Sequence, residues 1–234
     1  MTTFHPRINL DIQEIQTGSA TVSVARMNAN ECIKEWHVGY PSTKKQPQKV
    51  SWNDYITWPD NERWEIIDGV AYNMAPAPSV KHQIVAGNLY SQFDQKLKNK
   101  PCRPFIAPVD VVLSEYDIVQ PDVFVVCDKK KITEGNIQGA PDVVIEILSP
   151  FTALKDLRDK KTLYEKYGVK EYIVIDPIEE YVERFRLGKD GMYGKGEIFG
   201  PQEVLKCISP EGIKLNLRKI FEVGESFHRP SATL

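Results

Sequence analysis

Long apolar runs are missing from this 234-residue chain. No stretch approaches the roughly 18 consecutive apolar residues of a membrane span. The opening residues MTTFHPRINLD contain no apolar signal core, so a cytoplasmic location is expected. A basic excess is missing too: 30 Lys and Arg stand against 32 Asp and Glu, a formal charge of -2. Phosphate neutralisation drives most non-specific nucleic-acid affinity, so charge alone does not advertise such a partner. The densest basic run, Lys129-Lys130-Lys131, reads as a solvated turn, and the cluster at Lys96, Lys98, Lys100 and Arg103 complements a helix C-terminus. Cysteines number four, at positions 32, 102, 127 and 207, with no Cys-x-x-Cys pair. That spacing argues against a zinc site and a disulfide framework, and Cys127 is expected to pack as a small hydrophobe. Neither a G-x-x-x-x-G-K-[ST] phosphate loop nor a G-x-S-x-G elbow occurs. Internal repeats and low-complexity tracts are absent as well.

What remains is an ordinary globular composition, 41% hydrophobic and 26% charged. Residues 1–45 read as an N-terminal extension. It holds weakly alternating segments at Ile12–Ile15 and Thr21–Ala25, a short helix at Ala29–Trp36, and a linker around Tyr40–Pro47. Residues 46–225 read as one domain and 226–234 as a tail. Ser51-Trp-Asn-Asp54 opens a short helix in the manner of a capping box. Asp68-Gly69 between β-prone runs predicts a hairpin. A helix is expected over Ser79–Lys98, with Val80, Ile84, Val85, Leu89, Phe93 and Leu97 on its apolar face. Strands follow at Phe105–Leu113, Pro121–Cys127 and Pro141–Leu148, the last two apolar on both faces. A second helix, Thr152–Tyr167, ends at Gly168 and leads into a buried strand at Tyr172–Asp176. Alternating segments from Tyr181 to Leu217 read as added antiparallel strands. The order predicts an α/β fold, a mixed sheet flanked by helices.

Three side chains sit where chemistry would explain them. Glu146 lies among aliphatic neighbours in Val143-Val-Ile-Glu-Ile-Leu148, and a buried carboxylate needs a cation, a metal or a proton. Asp122 follows Pro121 at the mouth of another buried strand, where ligand sites of open sheets lie. A core arginine beside Glu146, or a turn capped by Asp122, would account for either acid alone. Together they suit the hard-oxygen chemistry of magnesium or manganese. Lys160 shares an inward stripe with Leu157, Tyr164 and Tyr167, and could stabilise charge on a phosphate. A snorkelling stem is the other reading, and Lys161 borders the same face. Glu65, flanked by apolar residues, is either a third carboxylate of the site or an exposed strand residue. His82, early on the long helix, is either catalytic or structural.

The blocks E-I-I-D-G-V-A-Y-N-M, S-V-K-H-Q, Q-P-D-V-F-V-V, P-D-V-V-I-E-I-L-S-P and D-L-R-D-K-K-T-L-Y-E-K-Y-G-V-K-E-Y-I-V-I-D-P occur here in that order. Over about residues 48 to 222 the chain resembles the Uma-two family of bacterial endonuclease-like proteins, related to PD-(D/E)XK enzymes. The resemblance implies a restriction-endonuclease-like mixed sheet flanked by helices, with extra antiparallel strands at both ends. It places Asp122 as the first acid, Glu146 as the second and Lys160 as the lysine of the D-L-x-x-K block, while Glu65 and His82 match further family positions. One departure stands out: the lysine of the (D/E)-x-K pattern is replaced by Leu148, and the amine would come from the following helix. The expected function is a Mg²⁺-dependent endonuclease, with Mn²⁺ as substitute, acting on DNA as a homodimer. Asp122, Glu146 and the Ile147 carbonyl would hold the metal. The other expectation is a catalytically inactive module for nucleic-acid binding or self-assembly.

Overall fold

A computed structural model describes residues 12–17, 20–25, 43–44, 49–59, 62–74, 77–150 and 153–224. The chain divides into two compact units, Met1–Tyr40 and Pro41–Leu234. In the first, β1 (Ile12–Thr17) and β2 (Ala20–Ala25) form an antiparallel pair with Ile15 opposite Val22. The helix expected at Ala29–Trp36 lies outside the described residues.

The second unit begins with β3 (Thr43–Lys44), inside the stretch that reads as a linker. Helix α1 (Trp52–Tyr55) is closed by the expected capping box, Ser51 and Asp54 each bonding the other's backbone. Next come β4 (Trp64–Ile67) and β5 (Val70–Asn73), joined at Asp68 and Gly69 with φ of +50° and +75°. Two positive φ values make the tight primed turn that a right-twisted hairpin needs. A Cβ on Gly69 would also stand 2.6 Å from that of Lys49, so only glycine fits.

Helix α2 (Val80–Leu97) follows, then β6 (Arg103–Ile106), β7 (Val111–Ser114), β8 (Asp117–Val119), β9 (Val123–Val126), β10 (Ile137–Gln138) and β11 (Val143–Ile147). The single strand expected over Phe105–Leu113 is therefore two strands. Ala107 makes the last ladder bond, its N–H to the Asp122 carbonyl at 3.0 Å, and Pro108 has no N–H to continue it. The chain crosses there from one sheet to another. Beyond β11 lie α3 (Ala153–Lys155), a π-helical turn (Asp156–Lys160) and α4 (Lys161–Lys166), where one continuous helix was expected. The remaining elements are β12 (Glu171–Asp176), β13 (Tyr181–Arg186), β14 (Glu197–Phe199), β15 (Val204–Lys206), β16 (Lys214–Asn216) and α5 (Leu217–Phe221).

Two six-stranded sheets result rather than one, ordered β14-β13-β12-β11-β9-β6 and β10-β7-β8-β4-β5-β3. Both are mixed, since β11 runs parallel to β12, and β10 to β7, among antiparallel neighbours. The first carries the site. On one face Val123, Val125, Ile145 and Ile173 pack with Val85, Leu89, Phe93 and Leu97 of α2. On the other, Phe124, Val126, Val144 and Val174 pack with Leu163 and Tyr164 of α4. Full burial of a side chain such as Phe93 contributes about 1.5–3 kcal/mol. Val80, expected on the apolar face of α2, is 77% exposed. The buried stripe starts instead at His82 and continues through Val85, Leu89 and Phe93.

The cysteine expectation is overturned. Cys102 and Cys127 form a disulfide, 25 residues apart in sequence. They stand one position beyond the Arg103–Val126 pair, so antiparallel pairing of β6 with β9 brings them opposite each other. Among the described residues no helix is long and apolar enough to cross a membrane.

Asp117 of β8 ties the second sheet to the end of α4. It accepts from the Asp68 N–H at 2.7 Å, the Tyr167 hydroxyl at 2.5 Å and the Lys166 ammonium at 3.1 Å. Burial alone would raise its pKa, but these donors outweigh burial and hold the carboxyl below its ordinary value. Such a group contributes stability above its unfolded pKa, and that contribution is lost as pH falls through the folded one. Asp117→Ala is therefore expected to lower stability by about 1–3 kcal/mol at neutral pH, measured by urea denaturation. The deficit should shrink in acid.

Candidate active site

The site grows from strand register. Ile145 pairs with Val123 at the end of the antiparallel β11–β9 ladder, so Glu146 and Asp122 occupy the next opposed positions. Opposed residues of an antiparallel pair project from the same face. That face also carries Phe124 and Val144, and the α3–π–α4 segment covers it. Both carboxylates line one cleft of about 370 Å³, together with Glu146's partner Lys160, His82, Asp156, Arg63 and Gln120.

Glu146 is buried, and its Oε1 accepts from the Lys160 Nζ at 2.9 Å and the Tyr164 hydroxyl at 2.7 Å. Neither contact uses Oε2. Asp122 is partly open to the cleft. Its Oδ2 accepts the Ile147 N–H at 2.8 Å and lies 3.2 Å from His82 Nε2. Neither contact uses Oδ1. The Ile147 backbone thus orients one acid, while Tyr164 and Lys160 orient the other.

Lys160 lies in the first sheet's cleft and not in solvent. Its Nζ is 2.7 Å from Glu65 Oε1, 2.9 Å from Glu146 Oε1 and 3.4 Å from Asp156 Oδ1. Lys161 takes the other margin, with Nζ 3.9 Å from the centre of the Phe185 ring. Glu65 is fully buried rather than exposed. Its Oε2 meets Lys155 Nζ at 2.5 Å, and its Oε1 accepts the Gln120 N–H at 3.2 Å. The structure therefore brings Asp122, Glu146, Lys160, Glu65, His82 and the Ile147 backbone into one neighbourhood.

Sequence reasoning missed three members. Tyr164 was visible on the inward stripe, yet a tyrosine there reads as core. Asp156 carried one signal, its i, i+4 spacing to Lys160. Lys155 carried none. Five residues before Lys160, it would point elsewhere on a regular α-helix, whereas the i→i+5 bonding of the π-turn stacks the two lysines.

Charges in the cleft are unevenly matched. Burial, first, and then the Asp156, Asp122 and Glu65 carboxylates push Glu146 above its ordinary pKa against the pull of Lys160. Glu65 goes the other way: burial opposes ionisation, but Lys155 and Lys160 outweigh it. His82 is raised although burial disfavours its charge, because Asp122, the Ile147 carbonyl and Asp156 favour the imidazolium. Four carboxyl groups facing two ammonium groups and the His82 imidazole form a donor set that a divalent cation would relieve. Among the described residues no three His, Cys, Asp or Glu side chains form a ready ligand cage.

Comparisons with known proteins agree with this architecture. A family profile described as "Uma2: Putative restriction endonuclease" matches residues 52–218. An uncharacterised protein of Synechocystis sp. is 24% identical over 147 residues, which cover 61% of this chain and 77% of that one. A solved structure from Anabaena variabilis, titled as "a putative nuclease belonging to DUF820", superimposes with a TM-score of 0.63. It is 22% identical and is covered over 98% of its length by 74% of this chain, a likeness that shows a shared mixed α/β fold. The family match spans the hairpin, both acid-bearing strands and the lysine helix. This chain belongs to the Uma2 family.

Proposed function

We propose that the protein is a Mg²⁺-dependent endonuclease hydrolysing phosphodiester bonds in DNA. One observation carries the reading: Asp122 and Glu146 fall on opposed strand positions, open into one cleft, and share it with a buried lysine 2.9 Å from Glu146. Asp122, Glu146 and the Ile147 carbonyl would hold the cation, whose chemistry is to acidify a bound water and neutralise the scissile phosphate.

The chain's own residues do the rest. Ile147 N–H fixes the Asp122 carboxylate, and His82 holds a proton at Nε2 against it. Tyr164 fixes Glu146 through Oε1 and so orients Oε2. Glu65 has both oxygens engaged by lysines, which makes it a positioning residue behind Lys160 rather than a metal ligand. Lys160 presents a cation where negative charge builds on the phosphate in the transition state.

The other reading, an inactive module of the same fold, is favoured by the three carboxylates that already engage Lys160. Supercoiled plasmid and single-stranded DNA, incubated with Mg²⁺ or Mn²⁺, separate the two. Cleavage by the native protein that stops with a chelator and in Asp122→Ala is expected. Undiminished cutting by Asp122→Ala would overturn the mechanism, and no cutting by the native protein would favour the inactive module.

A further inference from the structure

A second cleft, of about 600 Å³, adjoins the first. Trp52, Tyr55 and Trp58 line it from α1 and the turn after it, and Phe105 adds a fourth ring. The three rings run in tilted and edge-on contacts, with centres 5.9 Å apart from Trp52 to Tyr55 and 5.8 Å from Tyr55 to Trp58. Trp58 is braced in turn by Trp64 at 5.5 Å, and Phe105 is stacked on Phe124 at 5.2 Å. The walls are therefore aromatic and supported from behind.

Three carboxylates share the lining, Glu62, Asp110 and Glu134, and Asp110 stands against the tyrosine. Asp110 Oδ1 accepts from Gln120 Nε2 at 2.8 Å and from the Tyr55 hydroxyl at 3.4 Å, and Oδ2 takes neither bond. Gln120 Oε1 is gripped by Arg63 through Nε at 3.0 Å and Nη2 at 2.8 Å. Arg63 and Gln120 line both clefts, so the aromatic cleft opens onto the acids across a guanidinium.

A ligand for this cleft needs a flat π-face, a donor for Asp110 Oδ2, and an anionic link passing Arg63. A purely apolar ligand would desolvate Asp110 Oδ2 without supplying it a donor. A base pair inside a duplex hides its faces in the stack. An unpaired base offers both its face and its edge, and aspartate accepts from an exocyclic amine such as that of cytosine.

We infer that the aromatic cleft binds an unstacked nucleobase bearing an exocyclic amine, on a nucleotide next to the scissile phosphate, so that the substrate is single-stranded or locally unpaired DNA. The placement beside the scissile phosphate rests on the nuclease reading above.

Tryptophan fluorescence titrations of the full chain in chelator test binding without turnover. The probes are short oligo-dC, short oligo-dT and a blunt duplex of the same length. Oligo-dC should bind at least about tenfold tighter than the duplex and tighter than oligo-dT. Trp58→Ala should weaken oligo-dC by about 5- to 100-fold, the range of one base–aromatic stack. Because Trp58 braces a neighbour, Asp110→Asn gives the second arm: it keeps the side chain's shape and should erase the dC over dT preference with an unchanged melting temperature. Equal affinity for duplex, or a dC preference that survives Asp110→Asn, would overturn the inference. The plasmid assay is independent of this one. Base-selective binding without cleavage would favour the inactive module and leave the nucleobase site standing, whereas cleavage without base selectivity would overturn the nucleobase site and leave the nuclease reading.

Discussion

Lys160→Met should destabilise the fold by about 3–5 kcal/mol, the usual cost of stripping one partner from a buried ion cluster. The substitution conserves volume, so the loss is electrostatic rather than a cavity effect. Without the ammonium, Glu65 keeps Lys155 and the Gln120 N–H, Glu146 keeps only the Tyr164 hydroxyl, and Asp156 loses its ion pair with Lys160. Calorimetry of the metal-free protein reads this directly, as a fall of about 2–4 °C per kcal/mol in a domain of this size. A melting temperature unchanged by the substitution would mean that the three carboxylates do not depend on this cation. Lys160→Met combined with Glu146→Gln should recover part of the loss, because the pair is coupled and one of the three buried charges left unbalanced is gone.

Glu146→Gln alone carries the opposite sign. The amide oxygen still accepts from Tyr164 and Lys160, while the charge that burial and three neighbouring acids oppose disappears. The Glu146 carboxyl is pushed from 4.5 up to about 8, so the native chain's ionised site opposes folding. A raised acid contributes stability in full below its unfolded pKa and loses it as pH rises through the folded value. The stability advantage of Glu146→Gln over the native chain, without metal, should therefore grow from about pH 4.5 to about pH 8. At least about 1 kcal/mol is expected at the upper end, one fold of which is seen as about 2–4 °C. Phosphodiester cleavage should fall by about 10²–10³ in the same variant. A more stable but inactive protein is the signature of a site that stores repulsion for a cation. If the variant melts lower than the native chain at pH 8, Glu146 is a structural partner of Lys160 and no more.

Much of the fold was legible because its elements carry their own periodicity. The two apolar runs around Phe124 and Ile145 announced doubly covered strands, Asp68-Gly69 announced its hairpin, and Ser51 and Asp54 their capping box. Where tertiary pairing decided, sequence was silent. Three-residue β8 is too short for a period, and nothing local in Phe105–Leu113 tells which strands pair with its two halves. Cys102 and Cys127 met only because β6 and β9 pair in that register. The acids showed themselves as charges among aliphatic residues, since burial without a partner is so costly. Their partners did not: Lys155 sits in a polar stretch where nothing marks it as unusual, and Gln120 meets Glu65 through a backbone N–H that no side chain announces. The aromatic cleft was hidden for a different reason: Trp52, Tyr55 and Trp58 are neighbours in sequence, but Phe105 and Asp110 reach them only through the folded sheets.

The widened turn at Asp156–Lys160 also constrains what a change of length can do. Deleting one residue there would let the backbone rewind into an ordinary helix, and everything before the deletion would rotate by about 100° about the axis. Lys155 would swing off Glu65, while α4 and Tyr164 kept their seats. Such a deletion would separate the two amines without touching either one. The spare residue acts as a spacer that times the arrival of two cations on either side of a single acid.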